Sequence, residues 1–497
     1  MSALLLEWLR QHAAPLIVFA PLMAGAATML LPTQAMRALL GLGVLVFCAC
    51  LGVDMAAQAT LSGVRAYALG AIPAPFGIVL QGDGLAAVAG GAIAVFALIG
   101  WIARAGEAGA PSQIETTAVL ICVSALQCAV MSGDLLTIFL AFQVAALSVV
   151  VAASAGHEDD RRVLPGAFLA LLSLGLAGAI FLTGLALARE TLGGLDIQMS
   201  AGLTASKSVN SALAAGLILM LGAALCWAAS APAAAWAPVL FGRGATLSSL
   251  VLAGAFAIAG FAILTRLYAL ALAQPAHGAP FSLFIGVAGA ATVIVAALRA
   301  ASAQCVRRLA GYALGVQMGG AMIGLALAGD GAAAGLLHIL HAGAMAIILH
   351  AAGVRFRDTA RASTPIARLD GAGRRTPFVA AGVTIALLAL VAAPATAPFL
   401  SKWLILEASL ERGWGWAAAA LVFGSLAGVL VTGRVIERMY FRAPHIEAPS
   451  KHWGHLSLSA CIAASAAWLI VCGLEGTTPL AAAQAVIFPL FAGAGAP

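Results

Sequence analysis

The sequence predicts an all-α integral membrane protein with about fourteen transmembrane helices. Of its 497 residues 63% are hydrophobic and 9% charged, too few polar groups to clothe an aqueous surface. Apolar windows of about 20 residues, the length a helix needs to cross the hydrocarbon layer, recur along the chain. The loops between them are short and no linker sets off a second domain, so 1–497 reads as a single membrane domain.

The first three windows, near 15–31, 37–57 and 83–103, form an N-terminal segment over 1–110. Five more, near 116–132, 134–154, 164–188, 211–229 and 247–270, occupy 114–270. A further five, near 281–300, 308–328, 331–353, 377–396 and 415–436, occupy 281–440, and a last one near 454–474 opens a C-terminal part over 454–497. The closing apolar stretch, Pro479 to Phe491, is too short to span and is expected to lie along the membrane or dock on a partner. The first window follows Glu7 and Arg10 with no small-residue cleavage site after it, so it reads as a retained helix.

Spans 7 and 12 contain Pro232 and Pro394. Proline lacks the backbone N–H and clashes with the preceding turn, so both helices should break there. Each break is fourth in a block of five, and five is odd, so spans 4–8 and 9–13 read as inverted repeats. Broken helices of this kind free backbone groups near mid-depth, where ions are handled. For either proline alone, a simple kink is the plainer reading.

The net charge of +6 does not point to nucleic acid, because the basic residues are spread over loops and do not cluster with aromatics. They orient the chain instead. Assigning them to alternate sides puts about 18 on one face and about 7 on the other, and the rich side should be cytoplasmic. With an even number of spans both termini then fall on the non-cytoplasmic side of a bacterial-type inner membrane. The eight cysteines are scattered and read as packing residues, and no Cys or His spacing suggests a metal or a redox cofactor. No catalytic centre of the chain's own is expected.

Several stretches, in order, carry a resemblance: Pro73 to Val79, Gly133-Asp134-Leu135 with Phe139 and Phe142, Thr191 to Asp196, Arg307 to Tyr312 with Gln317, His341 to Gly353, and Ala392 to Trp403. From about 70 to 440 the chain resembles the antiporter-like membrane subunits shared by multisubunit Na+/H+ antiporters, respiratory complex I and membrane-bound hydrogenases, and in its Pro73 to Val79 segment D-type antiporter subunits especially. The resemblance implies paralogous and small membrane subunits as partners, a complex such as an NADH-quinone oxidoreductase or a hydrogenase, and a row of charged residues at mid-depth that passes protons or cations stepwise.

Here that row is mostly replaced. The matching positions read Gln143 for a glutamate, and Trp227, Ile258 and Met345 for lysines, while Lys402 remains. An amide cannot exchange charge and Trp or Ile fills space, so the first half should not relay protons. The second half keeps His338, His341 and His350 on span 11, with His338 and His341 on one helical face and Lys402 expected to face that span. Histidine titrates near neutrality and can pass protons; the plainer reading has these rings satisfying carbonyls at the break. Glu407 is a candidate ion partner for Lys402, or a solvated helix residue. Asp54 and Asp134 are expected to snorkel toward an interface, and Arg266, Arg307 and Arg308 to anchor there. Two functions follow as expectations: ion translocation through the second repeat, or a non-conducting subunit that scaffolds active paralogues.

Overall fold

The structure is a computed structural model, and it describes residues 3–62, 65–74, 76–105, 111–155, 164–197, 200, 211–231, 235–243, 252–272, 278–356, 365–443 and 454–491. Eleven of its helices are long and apolar enough to cross a membrane. Three further expected spans fall on shorter apolar helices, Ala13–Thr28, Ser211–Trp227 and Pro377–Val391.

A short helix α1 (Ala3–Gln11) leads into α2 (Ala13–Thr28) and α3 (Gln34–Ser62). Arg10 forms a bidentate pair with Asp54 at 2.9 and 2.7 Å, so Asp54 is held by this arginine and does not simply snorkel. The pairing also raises the Arg10 guanidinium above its usual range. The all-α expectation misses one element, a two-stranded antiparallel sheet of β1 (Arg65–Ala68) and β2 (Val79–Gly82). It escapes notice because four residues per strand, outside the apolar windows, give too short a pattern to read.

Helix α4 (Gly84–Arg104) starts at Asp83, whose carboxylate accepts from Ala86 N at 2.8 Å. Then come α5 (Gln113–Met131), α6 (Leu135–Ala155) and α7 (Leu164–Leu192). Asp134 does not snorkel either: it accepts from Thr137 N at 2.6 Å and so caps α6. Around it, Leu135 N donates to Leu195 O and Ile197 N to Gly133 O, so two separated stretches of the resemblance meet in space.

The first broken span consists of α8 (Ser211–Trp227) and α9 (Trp236–Arg243). Pro232 lies outside the described residues, but the helix ends ahead of it: Ala229 is left-handed (φ 56°), and Ser230 N reaches back to Leu225 O. A π-turn, Leu252–Phe256, opens α10 (Ala257–Leu272). There Arg266 is no interfacial anchor. It is buried, 2.8 Å from Asp83, and also donates to Gln81 Oε1 and Val130 O, tying α10 to the start of α4. An unpaired guanidinium at that depth would be costly, and burial of the ion pair is tolerated because its two terminal nitrogens are taken up by Asp83, Gln81 and Val130 O.

The second set is α11 (Gly278–Ser302), α12 (Val306–Leu327), α13 (Gly329–Arg355), the broken pair α14 (Pro377–Val391) and α15 (Ala397–Glu411), and α16 (Gly415–Ile436). The break ends as the first one does: Ala392 is left-handed (φ 64°) and Ala393 N reaches back to Leu388 O. Helix α13 is buried along almost its whole length, between α12, α15 and the last two helices, α17 (Gly454–Leu474) and α18 (Thr477–Phe491). The apolar tail expected on the membrane surface or on a partner therefore packs on its own chain. Val486 lies against Gly84, Phe491 meets Tyr268 edge-on, and Gln484 donates to Asp330 at 2.7 Å.

Candidate functional site

The second break brings polar groups together inside an apolar body. His338, fully buried on α13, has both ring nitrogens engaged: Nδ1 lies 2.8 Å from Ser401 Oγ and Nε2 lies 3.2 Å from Gln317 Oε1. The Gln317 amide donates through Nε2 to Ala389 O at 3.4 Å, on the last turn of α14, so its oxygen is left to accept from the histidine. Ser401 Oγ also lies 3.3 Å from Pro398 O. Ser401 of α15 and Gln317 of α12 are thus set on either side of a ring carried by α13.

Lys402 follows Ser401, about 100° further round α15, and its ammonium points elsewhere. It donates to Leu390 O at 3.4 Å, a carbonyl freed by the break, and to Ser425 Oγ on α16 at 3.1 Å. The expected approach of Lys402 to span 11 is therefore made by its neighbour Ser401, because adjacent helical residues cannot face the same way. A cavity of about 200 Å³, lined among others by Lys402, Ser425, Phe399 and Trp403, opens beside the ammonium toward the outer face of the chain. Glu407 is exposed on α15, and among the described residues no carboxylate lies within ion-pair distance of Lys402.

The other histidines are placed differently. His341 is buried a turn beyond His338, its ring 6.4 Å from that of Trp468, and neither nitrogen has a partner among the described residues. Met345, fully buried, continues this face. His350 is buried against Phe241 of α9 at 5.8 Å, away from the Lys402 region. Arg307 is buried, not interfacial, and its side chain crosses Gly353, where an added Cβ would meet Cγ at 2.6 Å. Gln317, Ser401 and Ser425 were not singled out as path residues by sequence reasoning. Their signal was a lone polar residue within an apolar span, which is common and weak.

The first half looks different. Trp227 is fully buried and stacks on Phe142 (4.2 Å between ring centroids, 7° between planes) and on Phe181 (5.1 Å). Phe256 of the π-turn meets Phe142 and Trp236 edge-on. Ile258 is buried just beyond. Gln143 packs against Gly178 of α7, with its amide in the space a Cβ there would fill. Gln143 Oε1 has no hydrogen-bond partner among the described residues, and an amide cannot change charge.

A buried polar cluster beside a broken helix, within a bundle of membrane-spanning helices, defines a multi-pass membrane protein built like an antiporter subunit. The family described as NADH:quinone oxidoreductase/Mrp antiporter, TM matches residues 132–428, more than half of the chain. The chain belongs to this family. One relative, NADH-quinone oxidoreductase subunit N of Salinispora arenicola (strain CNS-205), is 26% identical over 332 residues, covering 65% of this chain and 63% of that protein. The chain thus spans less than two thirds of the length of the curated relatives it matches. Among solved structures, a chain of the Mrp complex from Dietzia sp. DQ12-45-1b superposes with a TM-score of 0.86 at 19% identity, over 97% of this chain and 98% of that one. A chain of respiratory complex I from Thermus thermophilus with bound aureothin gives 0.74 at 19% identity, over 95% and 100%. These likenesses establish the fold.

Proposed function

We propose that this chain is the antiporter-like subunit of a multisubunit membrane complex and that it translocates protons through its second helix set, 281–440, while the first set, 114–270, stays shut. The relatives named above belong to such assemblies, an NADH-quinone oxidoreductase and an Mrp complex, and paralogous and small membrane subunits are the partners this reading supplies. The reading keeps the inverted relation of the two sets, with their matched left-handed breaks at Ala229 and Ala392 in its support. It also keeps the basic loops cytoplasmic and both termini outside.

The observation that carries the proposal is the setting of His338. When the ring is neutral, Nε2–H donates to Gln317 Oε1 and Ser401 Oγ–H donates to Nδ1. When a second proton arrives, Nδ1–H donates to Ser401 Oγ, and the Ser401 hydroxyl turns to Pro398 O. Both protonation states keep their hydrogen bonds without moving a heavy atom, so a proton can reside on His338 and leave again at little reorganisation cost. Lys402 holds a second cation at the next position, and repulsion between the two charges links loading of one to unloading of the other. His341 extends the path along α13, and the cavity beside Lys402 gives it an outlet toward a neighbouring subunit. In the first set the stacked rings of Phe142, Phe181 and Trp227 fill the core with groups that carry no charge, and the buried Arg266 of that set is committed to Asp83.

The test is proton flux in vesicles that carry the purified complex, comparing wild type with Lys402→Ala and with a His338→Ala/His341→Ala double variant. Flux should fall sharply in both. Unchanged flux with assembly intact rejects conduction by this chain and leaves it the scaffolding role.

A further inference from the structure

A cavity of about 370 Å³ lies between the first helix break and the pair α11/α12. Its walls are apolar and small-sided, with Ala228 and Pro238 from the broken span facing Ala296 and Gly315. Two arginines stand at one end, Arg299 in the last turn of α11 and Arg308 in the first turn of α12, with Tyr312 beside them. Because both arginines sit where their helices end, the basic end lies at the level of the membrane boundary. Thr292, which lines the other end, is seven residues before Arg299, about 10 Å deeper along the helix at 1.5 Å per residue.

The two guanidinium groups are uncommitted. Among the described residues neither Arg299 nor Arg308 has a hydrogen-bond or ion-pair partner, whereas Arg434 binds Ala301 O and Ala303 O, and Arg438 binds Asp370. Arg308 is moreover directed, since its side chain lies across Gly242 of α9, where an added Cβ would meet Cγ at 2.6 Å. The arrangement pairs an apolar slot of ligand size with two free cations at headgroup depth.

We infer that this cavity binds an anionic phospholipid, its phosphodiester held between Arg299 and Arg308 and one acyl chain lying along Ala296, Gly315 and Pro238. Basic pockets between spans on the cytoplasmic side suit such headgroups, and arginine binds phosphate oxygens through paired N–H donors. The occupant would pack against Ala228, Ala229 and Ala231 past the end of α8, where Ala231 N is fixed to Thr292 Oγ1 at 3.1 Å on the cavity wall. The lipid would then brace the first break from the side.

The experiment is native mass spectrometry of the full chain, stripped of lipid and then offered phosphatidylglycerol, phosphatidylcholine or inorganic phosphate. Wild type should retain phosphatidylglycerol and neither of the others. An Arg299→Gln/Arg308→Gln variant should retain it about tenfold less or weaker still, with thermal unfolding in phosphatidylcholine unchanged. An Arg299→Lys/Arg308→Lys variant, which keeps both charges, should hold the lipid better than the glutamine pair. Equal retention by wild type and the glutamine pair, equal retention of the two lipids, or displacement of phosphatidylglycerol by inorganic phosphate overturns the proposal.

Discussion

Replacing Trp227 by alanine separates packing from conduction. The indole is fully buried and stacked between Phe142 at 4.2 Å and Phe181 at 5.1 Å, so its removal leaves a void that well-packed rings cannot close. A void of roughly 130 Å³ at about 24 cal/mol per Å³ costs about 3 kcal/mol. This is the low end of the usual Trp-to-Ala range, because in a bilayer no water-transfer contribution adds to it. The folded-to-unfolded ratio should therefore fall roughly a hundredfold, measured by denaturant or thermal unfolding of the purified chain. Trp227→Phe should be close to neutral, because the smaller void is offset by losing an indole N–H that has no partner among the described residues. In proteoliposomes the folded Trp227→Ala protein should show wild-type proton flux. Lys402→Met should do the reverse, keeping stability while losing flux, since replacing a buried cation by an isosteric apolar chain is neutral or better. A severalfold change of flux in folded Trp227→Ala, or full flux in Lys402→Met, would refute the assignment of the two halves.

Three further outcomes are expected. Asp83→Ala should destabilise by about 4–6 kcal/mol, about 1 from the lost α4 cap and about 3–5 from leaving Arg266 buried and uncompensated; adding Arg266→Met should restore most of the loss in a double-mutant cycle. Gln143→Glu should leave flux unchanged, because that side chain packs on Gly178 and its amide oxygen has no donor among the described residues; a large gain in a flux assay would show the first half to be open. At the start of α18, the hydroxyls of Thr478 and Thr477 hold the exposed Glu475 carboxyl below its usual range. A lowered carboxylate stabilises above its unfolded-state pKa and loses that contribution as pH falls through the folded value. Hydrogen exchange in the first turn of α18 should accordingly rise only in acid below the ordinary carboxylate range, and Glu475→Gln should remove that dependence.

The helices themselves were legible in the sequence because hydrocarbon imposes a length and forbids unpaired backbone groups, so each expected window coincides with an apolar helix in the structure. The break near Pro394 was legible for the same reason, since proline cannot continue the ladder. The ionisable residues were legible only as a list. Asp54, Asp134 and Arg266 each read as solvated at an interface, yet one is paired with Arg10, one caps a helix and one is locked to Asp83. These partners are separated in sequence by up to 183 residues, a distance that no local pattern spans.

By itself, then, the sequence determined the solvent and the number and order of the apolar windows. Composition and period report those quantities directly. Tertiary structure alone decided which polar groups meet. It turned Lys402 toward Leu390 and Ser425, set Ser401 and Gln317 on the two sides of His338, stacked Trp227 into a plug and left Arg299 and Arg308 uncommitted. The physical reason is angular: a helix rotates about 100° per residue, so which of two adjacent residues completes a site depends on how each helix is rotated against its neighbours.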